Sequence, residues 1–315
     1  MKLKFSAIVT TVSIILACAP APASSIAAQR KPAPVQSYKV IATFPHDTSS
    51  FTQGLVFASD GQLYESTGLE GESTLRRVDI ATGQTLQKID VPSQYFAEGL
   101  AMVGDELLQL TWRHKLGFVY DRKTFKQKRT FSYKTEGWGI AYDGTSSLVM
   151  SDGSDTLTFL DPKSLAVAKT LRVMDAGRPV SNLNELEWIE GEIWANIWMT
   201  DRIARISPNT GEVNAWIDLS SLYPVSQRVP PADVMNGIAY DKATRRIYIT
   251  GKKWPRLYQI TVSGEQSRVN RRRDRSDTSG RLPALPRLRS TSPDRRRSPA
   301  RSDRTRGARA AGSRE

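Results

Sequence analysis

A chain of 315 residues with one cysteine, two histidines and a formal net charge of +13 excludes more than it suggests. A lone thiol rules out a disulfide framework, and so few imidazoles argue against a zinc centre, so no metal ligands are assigned. Nucleic acid is not an expected partner either: residues 268–315 hold 16 Arg, no Lys and five acidic residues, which leaves the other 267 residues a balance of only +2.

Residues 1–28 read as a secretory signal peptide. Lys2 and Lys4 form the charged start, and Ala7 to Ala17 is an apolar run too short to span a bilayer as a stable helix. Ala21-Pro22-Ala23 and Ile26-Ala27-Ala28 supply small residues for cleavage. The protein is therefore expected to be exported, periplasmic or secreted, with no stable membrane span once the signal is removed. Lipid attachment at Cys18 is less favoured, because Leu16 is bulky two positions before it; an uncleaved anchor is a third reading.

From Gln36 to Ser263 one small phrase recurs: Thr52-Gln53-Gly54-Leu55, Ala97-Glu98-Gly99-Leu100, Gly137-Trp138-Gly139-Ile140, Asn184-Glu185-Leu186 and Asn236-Gly237-Ile238. Intervals of roughly 40 to 50 residues, each opening a strand-rich stretch, are the signature of propeller blades. Leu75 to Asp79, Val119 to Asp121, Leu157 to Asp161 and Ile203 to Ile206 each run into a polar turn, as third-to-fourth-strand hairpins do. The expected fold is all-β, a five-bladed β-propeller over 36–263. Its ring closes by pairing the early strand 38–44 with a strand near 256–260; an open sandwich fits five similar units less well. Five blades would aim the polar or aromatic residue of each phrase at one axis.

Residues 264–315 form an Arg-rich, low-complexity tail expected to be disordered. One reading is an arm for polyanions or membrane surfaces. The other is a reading-frame artefact of a GC-rich gene, favoured by the abrupt switch from mixed Lys and Arg to Arg alone.

The phrases together resemble the bacterial and plant type of glutaminyl-peptide cyclotransferase. The matching residues are His46-Asp47 with Phe51 to Leu55, Phe96 to Leu100, Leu110-Thr111-Trp112, Glu136 to Gly139, and Asn184 to Trp188 with Trp194 to Trp198. Asn236 to Asp241 and Thr250 to Pro255 complete the series. The resemblance covers nearly all of 38–260. It implies a five-bladed propeller that converts the N-terminal glutamine of peptides or proteins to pyroglutamate with loss of ammonia. It also implies chemistry unrelated to that of the zinc-dependent animal enzyme, with no cofactor required. The Arg-rich tail departs from the family pattern.

Such a reaction needs an oriented substrate, a proton carrier and a stabilised oxyanion. Glu98, set among Tyr95, Phe96, Ala97 and Leu100, fits the proton carrier, since burial would raise its pKa. Lys252 would place positive charge beside the γ-carbonyl oxygen; Lys253 would point to the opposite face of a strand. Gln53 and Asn184 suit recognition of a primary amide. Trp112, Trp138 and Trp198 would wall the pocket, with Phe51 and Phe96 beside them. Trp188, Trp194 and Trp254 are left to core or rim, and either Glu185 or Glu187 could face the axis. Two other functions fit a propeller: a non-catalytic peptide-binding module, and a calcium-dependent hydrolase. A structural calcium ion on the axis, held by a set such as Glu98, Asn184 and Asn236, is compatible with all three. A monomer is expected.

Overall fold

The computed structural model describes residues 31–263; the signal expected over 1–28 and the Arg-rich tail lie outside the described residues. Blade 1 comprises Thr52–Phe57, Leu63–Thr67, Thr74–Val78 and Thr85–Asp90, from axis to rim. Blade 2 comprises Ala97–Val103, Glu106–Thr111, Leu116–Asp121 and Gln127–Ser132. Blade 3 runs Ile140–Tyr142, Leu148–Met150, Thr156–Leu160 and Val167–Arg172. Blade 4 runs Leu183–Ile189, Glu192–Ile197, Arg202–Ile206 and Val213–Asp218. Blade 5 has Met235–Asp241, Arg246–Gly251 and Arg256–Val262, and takes its outer strand, Tyr38–Pro45, from the start of the described chain. Val40 faces Ile260 and Phe44 faces Leu257 in that antiparallel pair, which closes the ring.

Strand alternation builds the interior. Successive side chains of a strand point to opposite faces, and here both faces are covered by neighbouring blades. In blade 2, Leu100, Leu107 and Phe118 pack on blade 1, while Ala101, Leu108 and Val119 pack on blade 3. The same division fills five apolar layers, one between each pair of adjacent blades. The outer strands of blades 2 and 3 are largely exposed, as strands covered on few sides should be.

The recurring phrase bends the inner strands of blades 1, 2, 4 and 5. Register shifts fall at Thr52/Gly54, Ala97/Leu100, Leu183/Leu186 and Met235/Ile238. Its glycine permits close approach between inner strands. A Cβ at Gly54 would stand 2.4 Å from the Leu100 nitrogen, and one at Gly139 would stand 2.1 Å from the Asn184 carbonyl. Blade 4 alone carries Glu185 in place of this glycine. Its carboxylate reaches across to accept from Ile238 N at 2.8 Å and from Leu55 N at 3.4 Å, tying blade 4 to blades 5 and 1.

The closure carries a buried polar clasp. His46 Nδ1 donates to the Trp254 carbonyl (2.7 Å) and Nε2 to Glu65 (3.1 Å). Ser50 and Thr52 hydroxyls also donate to Glu65, and Arg76 binds Asp47, Ser50 and Thr74. Both ring nitrogens of His46 face acceptors, an arrangement that favours its charged form. Burial opposes that charge, but Glu65 and the Trp254 carbonyl outweigh it and raise the pKa. Glu65 is correspondingly lowered, its burial overcome chiefly by His46 and Arg76.

Among the described residues, three features have no counterpart in the expected blades, one of them the single 3-10 turn Val225–Gln227. Val35–Gln36 adds a short parallel strand to the outer edge of blade 4, and Met174–Asp175 pairs with Arg178–Pro179.

Candidate active site

The repeat sets side chains around one end of the axis. One backbone bond recurs in four blades: Gly68 N to Phe51 O, Trp112 N to Phe96 O, Trp198 N to Asn182 O and Lys252 N to Val234 O, all 2.8 or 2.9 Å. It joins the end of each second strand to the residue two before the polar position of the phrase. Together these positions surround a cavity of about 430 Å³ lined by Phe51, Gln53, Phe96, Glu98, Trp112, Trp138, Asn184, Trp198 and Lys252. All nine residues named from the sequence thus share one space. Arg113, Met199, Asp233 and Val234 complete the lining.

The walls are aromatic and meet edge to face. Phe51 and Phe96 lie 6.1 Å apart, Phe96 and Trp112 5.6 Å, and Trp138 and Trp198 5.5 Å between ring centroids. The Lys252 ammonium stands 4.8 Å from the Phe51 ring centre, a cation–π contact. Trp194 and Trp254 are fully buried in core layers, and Trp188 packs against another.

The charged pair is unusual. Glu98 and Lys252 are each only 6% exposed, yet neither head group has a hydrogen-bond partner among the described residues. Burial pushes the Glu98 carboxyl well above the ordinary range; the Lys252 charge opposes this and Glu136 adds to it. Burial pulls the Lys252 ammonium down, with Glu98 and Asp233 opposing. Unpaired buried charges cost several kcal/mol or titrate, roughly 1–3 kcal/mol being typical even for an unsatisfied neutral group. Lys252 is presented by a turn: the strand ends at Gly251 and Lys253 has φ +58°, so the expectation that Lys253 occupies the far face of a strand is corrected.

The amides are oriented. Asn236 Nδ2 donates to the Thr52 carbonyl (3.0 Å), which fixes that atom as nitrogen, and also to Gln53 Oε1 (3.1 Å). With its oxygen engaged, Gln53 turns its NH₂ toward the cavity. Asn184 Oδ1 is buried and accepts no hydrogen bond among the described residues. Neither Glu185 nor Glu187 lines the cavity. Burial and the charge of Glu187 raise Glu185, while burial raises Glu187 to about 8 against a hydrogen bond from Tyr240 N.

Among the described residues no three His, Cys, Asp or Glu side chains gather as metal ligands. Glu98 and Asn184 line the cavity, whereas Asn236 stands behind Gln53. Six aspartates in or beside turns are engaged away from the cavity. Asp60, Asp143, Asp152 and Asp241 accept turn N–H groups, while Asp155 and Asp201 pair with Arg172 and Arg228.

Fold and cavity define a five-bladed propeller with an acid and a base buried at the axis. Residues 10–262 match the sequence model of the glutamine cyclotransferase family. A glutaminyl-peptide cyclotransferase of Arabidopsis thaliana is 44% identical over 233 residues, 72% of each chain. The crystal structure of Myxococcus xanthus glutaminyl cyclase superposes with a TM-score of 0.68 at 39% identity, covering 73% of this chain and 98% of that one. The chain belongs to the glutamine cyclotransferase family.

Of the lining residues not foreseen, Val234 occupies the position that Phe51 and Phe96 hold in blades 1 and 2, so the repeat carried its signal. Arg113 and Met199 directly follow Trp112 and Trp198. Asp233 has no repeat signal.

Proposed function

We propose that this protein closes the N-terminal glutamine of peptides or proteins into pyroglutamate and releases ammonia. The carrying observation is the buried acid and base, Glu98 and Lys252, neither with a hydrogen-bond partner among the described residues, in an aromatic-walled cavity of about 430 Å³. The aliphatic part of glutamine lies against Trp112, Trp138 and Trp198. The Gln53 NH₂ and the Lys252 ammonium meet the γ-carbonyl oxygen, where negative charge develops. Asn184 lines the same space and hydrogen-bonds the substrate amide. The α-nitrogen forms its bond to Cδ, and the bond from Cδ to the amide nitrogen breaks. Glu98 takes a proton from the attacking nitrogen and delivers it to the leaving one, which departs as ammonia. A carboxyl held well above its ordinary range by burial suits both steps.

The chemistry needs no cofactor. Zinc independence is supported by the lining itself, which offers carboxyls, amides, an ammonium and a guanidinium but none of the imidazoles or thiolates zinc favours. A structural calcium ion on the axis would draw on the buried, unengaged oxygens of Asn184 and Asn236; calcium should then raise the melting temperature without being needed for turnover. Export is supported by the leader sequence. A monomer suffices, since one chain supplies every lining residue; among the described residues no helix is long and apolar enough to cross a membrane.

The test is ammonia release from a Gln-initiated dipeptide amide, with and without chelator. Chelator-insensitive release is expected. Binding without release would make the protein a peptide-binding propeller, and release abolished by chelation and restored by calcium would favour the hydrolase class.

A further inference from the structure

The aromatic wall has a gap, and a carboxylate spans it. Ring contacts run from Phe51 through Phe96 to Trp112, and again from Trp138 to Trp198. Between Trp112 and Trp138 stands Glu136. Its Oε2 accepts the indole N–H of Trp112 at 2.7 Å and that of Trp138 at 3.0 Å. Its Oε1 faces Arg113 Nε at 3.8 Å, and the Arg113 guanidinium lies 3.7 Å from the Trp112 ring centre. Trp112 is thus gripped at its nitrogen by Glu136 and on its face by Arg113.

We infer that Glu136 is a positioning residue for the cyclisation site, which fixes two indole walls and adds negative charge near Glu98. The inference rests on the proposed function and extends it to a group outside the cavity lining. Glu136 stands two residues before Trp138, the place that Phe51 and Phe96 take before Gln53 and Glu98. Where blades 1 and 2 supply a ring, blade 3 supplies an acceptor that two rings share. An indole N–H can donate only, so one oxygen receiving two of them fixes both ring planes. Charge-assisted hydrogen bonds of this kind are about twice as strong as neutral ones. The same negative charge pushes the Glu98 carboxyl further upward.

Two variants separate the acceptor from the charge. Glu136→Gln keeps an oxygen for the indoles and loses the charge. Its KM for a Gln-initiated dipeptide amide should stay within about twofold of the parent value, while the pH limb that Glu98→Gln abolishes moves to lower pH. Glu136→Leu loses both, and KM should rise about tenfold or more, with altered indole fluorescence. Unchanged KM and pH limbs in both variants would overturn the inference. Should Glu136→Leu fail to fold, an unshifted limb in folded Glu136→Gln is sufficient to overturn it. If the parent protein releases no ammonia, it is the proposed function that fails. Fluorescence titration with the same dipeptide amide then decides the positioning role: equal affinity of the parent and Glu136→Leu contradicts it, and about tenfold weaker binding by Glu136→Leu supports it.

Discussion

Two groups of buried charges, one at the junction of blades 5 and 1 and one at the axial cavity, are built in opposite ways. In the clasp, His46, Glu65 and Arg76 each find at least two partners among Ser50, Thr52, Thr74, Asp47, the Trp254 carbonyl and one another. At the cavity, Glu98 and Lys252 are equally well buried and find no hydrogen-bond partner among the described residues. A buried charge satisfied by its neighbours holds structure together, whereas one left unsatisfied is held ready for a substrate. Changes in the cavity should therefore cost rate and little stability, and changes in the clasp the reverse.

The largest expected effect tests the cavity side. Lys252→Met should lower kcat about 10²–10³-fold, the usual cost of losing an oxyanion-stabilising group. Chemical denaturation should show stability equal to or above that of the parent, because a desolvated ammonium has been removed. A kcat within a few-fold of the parent would break the comparison.

On the clasp side, Glu65→Leu should destabilise by about 3–5 kcal/mol, since it strands buried His46 and Arg76. Turnover per folded molecule should change little. Denaturant melts paired with active-site-normalised rates check both.

The pH dependence sharpens the contrast. His46 has its folded pKa raised above 6.5, so its stabilisation is complete below about pH 6.5 and is lost as pH rises through the folded value. Glu65 is lowered from 4.5, so its contribution is present above about pH 4.5 and is lost as pH falls through its folded value. The clasp should be strongest between those limits.

Glu187, raised to about 8, adds a further loss of stability as pH climbs from 4.5 through 8. Glu187→Gln should therefore show a shallower decline between pH 6 and 9, by on the order of 2 kcal/mol at the alkaline end. Parallel curves for parent and variant would contradict the burial of an ionisable Glu187.

The smallest effect concerns the rim. Trp198 is 39% exposed, so Trp198→Ala should raise KM several-fold with kcat nearly kept, as loss of uniform binding does.

Much of this architecture was legible because the repeat carries it. Aligning Gln53, Glu98, Trp138, Asn184 and Asn236 exposes both the blade count and the residues that meet at the axis. What the repeat does not share was hidden. The parallel pair at Val35–Gln36 is two residues long and has no periodicity. The φ of +58° at Lys253 follows from a turn that the apparent continuation of a strand disguises. Glu185 and Glu187 lie on one strand with similar neighbours. Only the close approach of blades 5 and 1 shows Glu185 filling the space a glycine leaves elsewhere. Glu136 stood in a matching motif, but a single acid in a loop looks like any solvated one until two indoles are seen to share it.

The most direct test of the account measures ammonia release and thermal stability together in Glu98→Gln. The account predicts turnover reduced about 10³-fold, within the range general acid–base groups supply, and a melting temperature unchanged or higher. Near-parent turnover, or a fall in stability like that expected of the clasp variants, would contradict it.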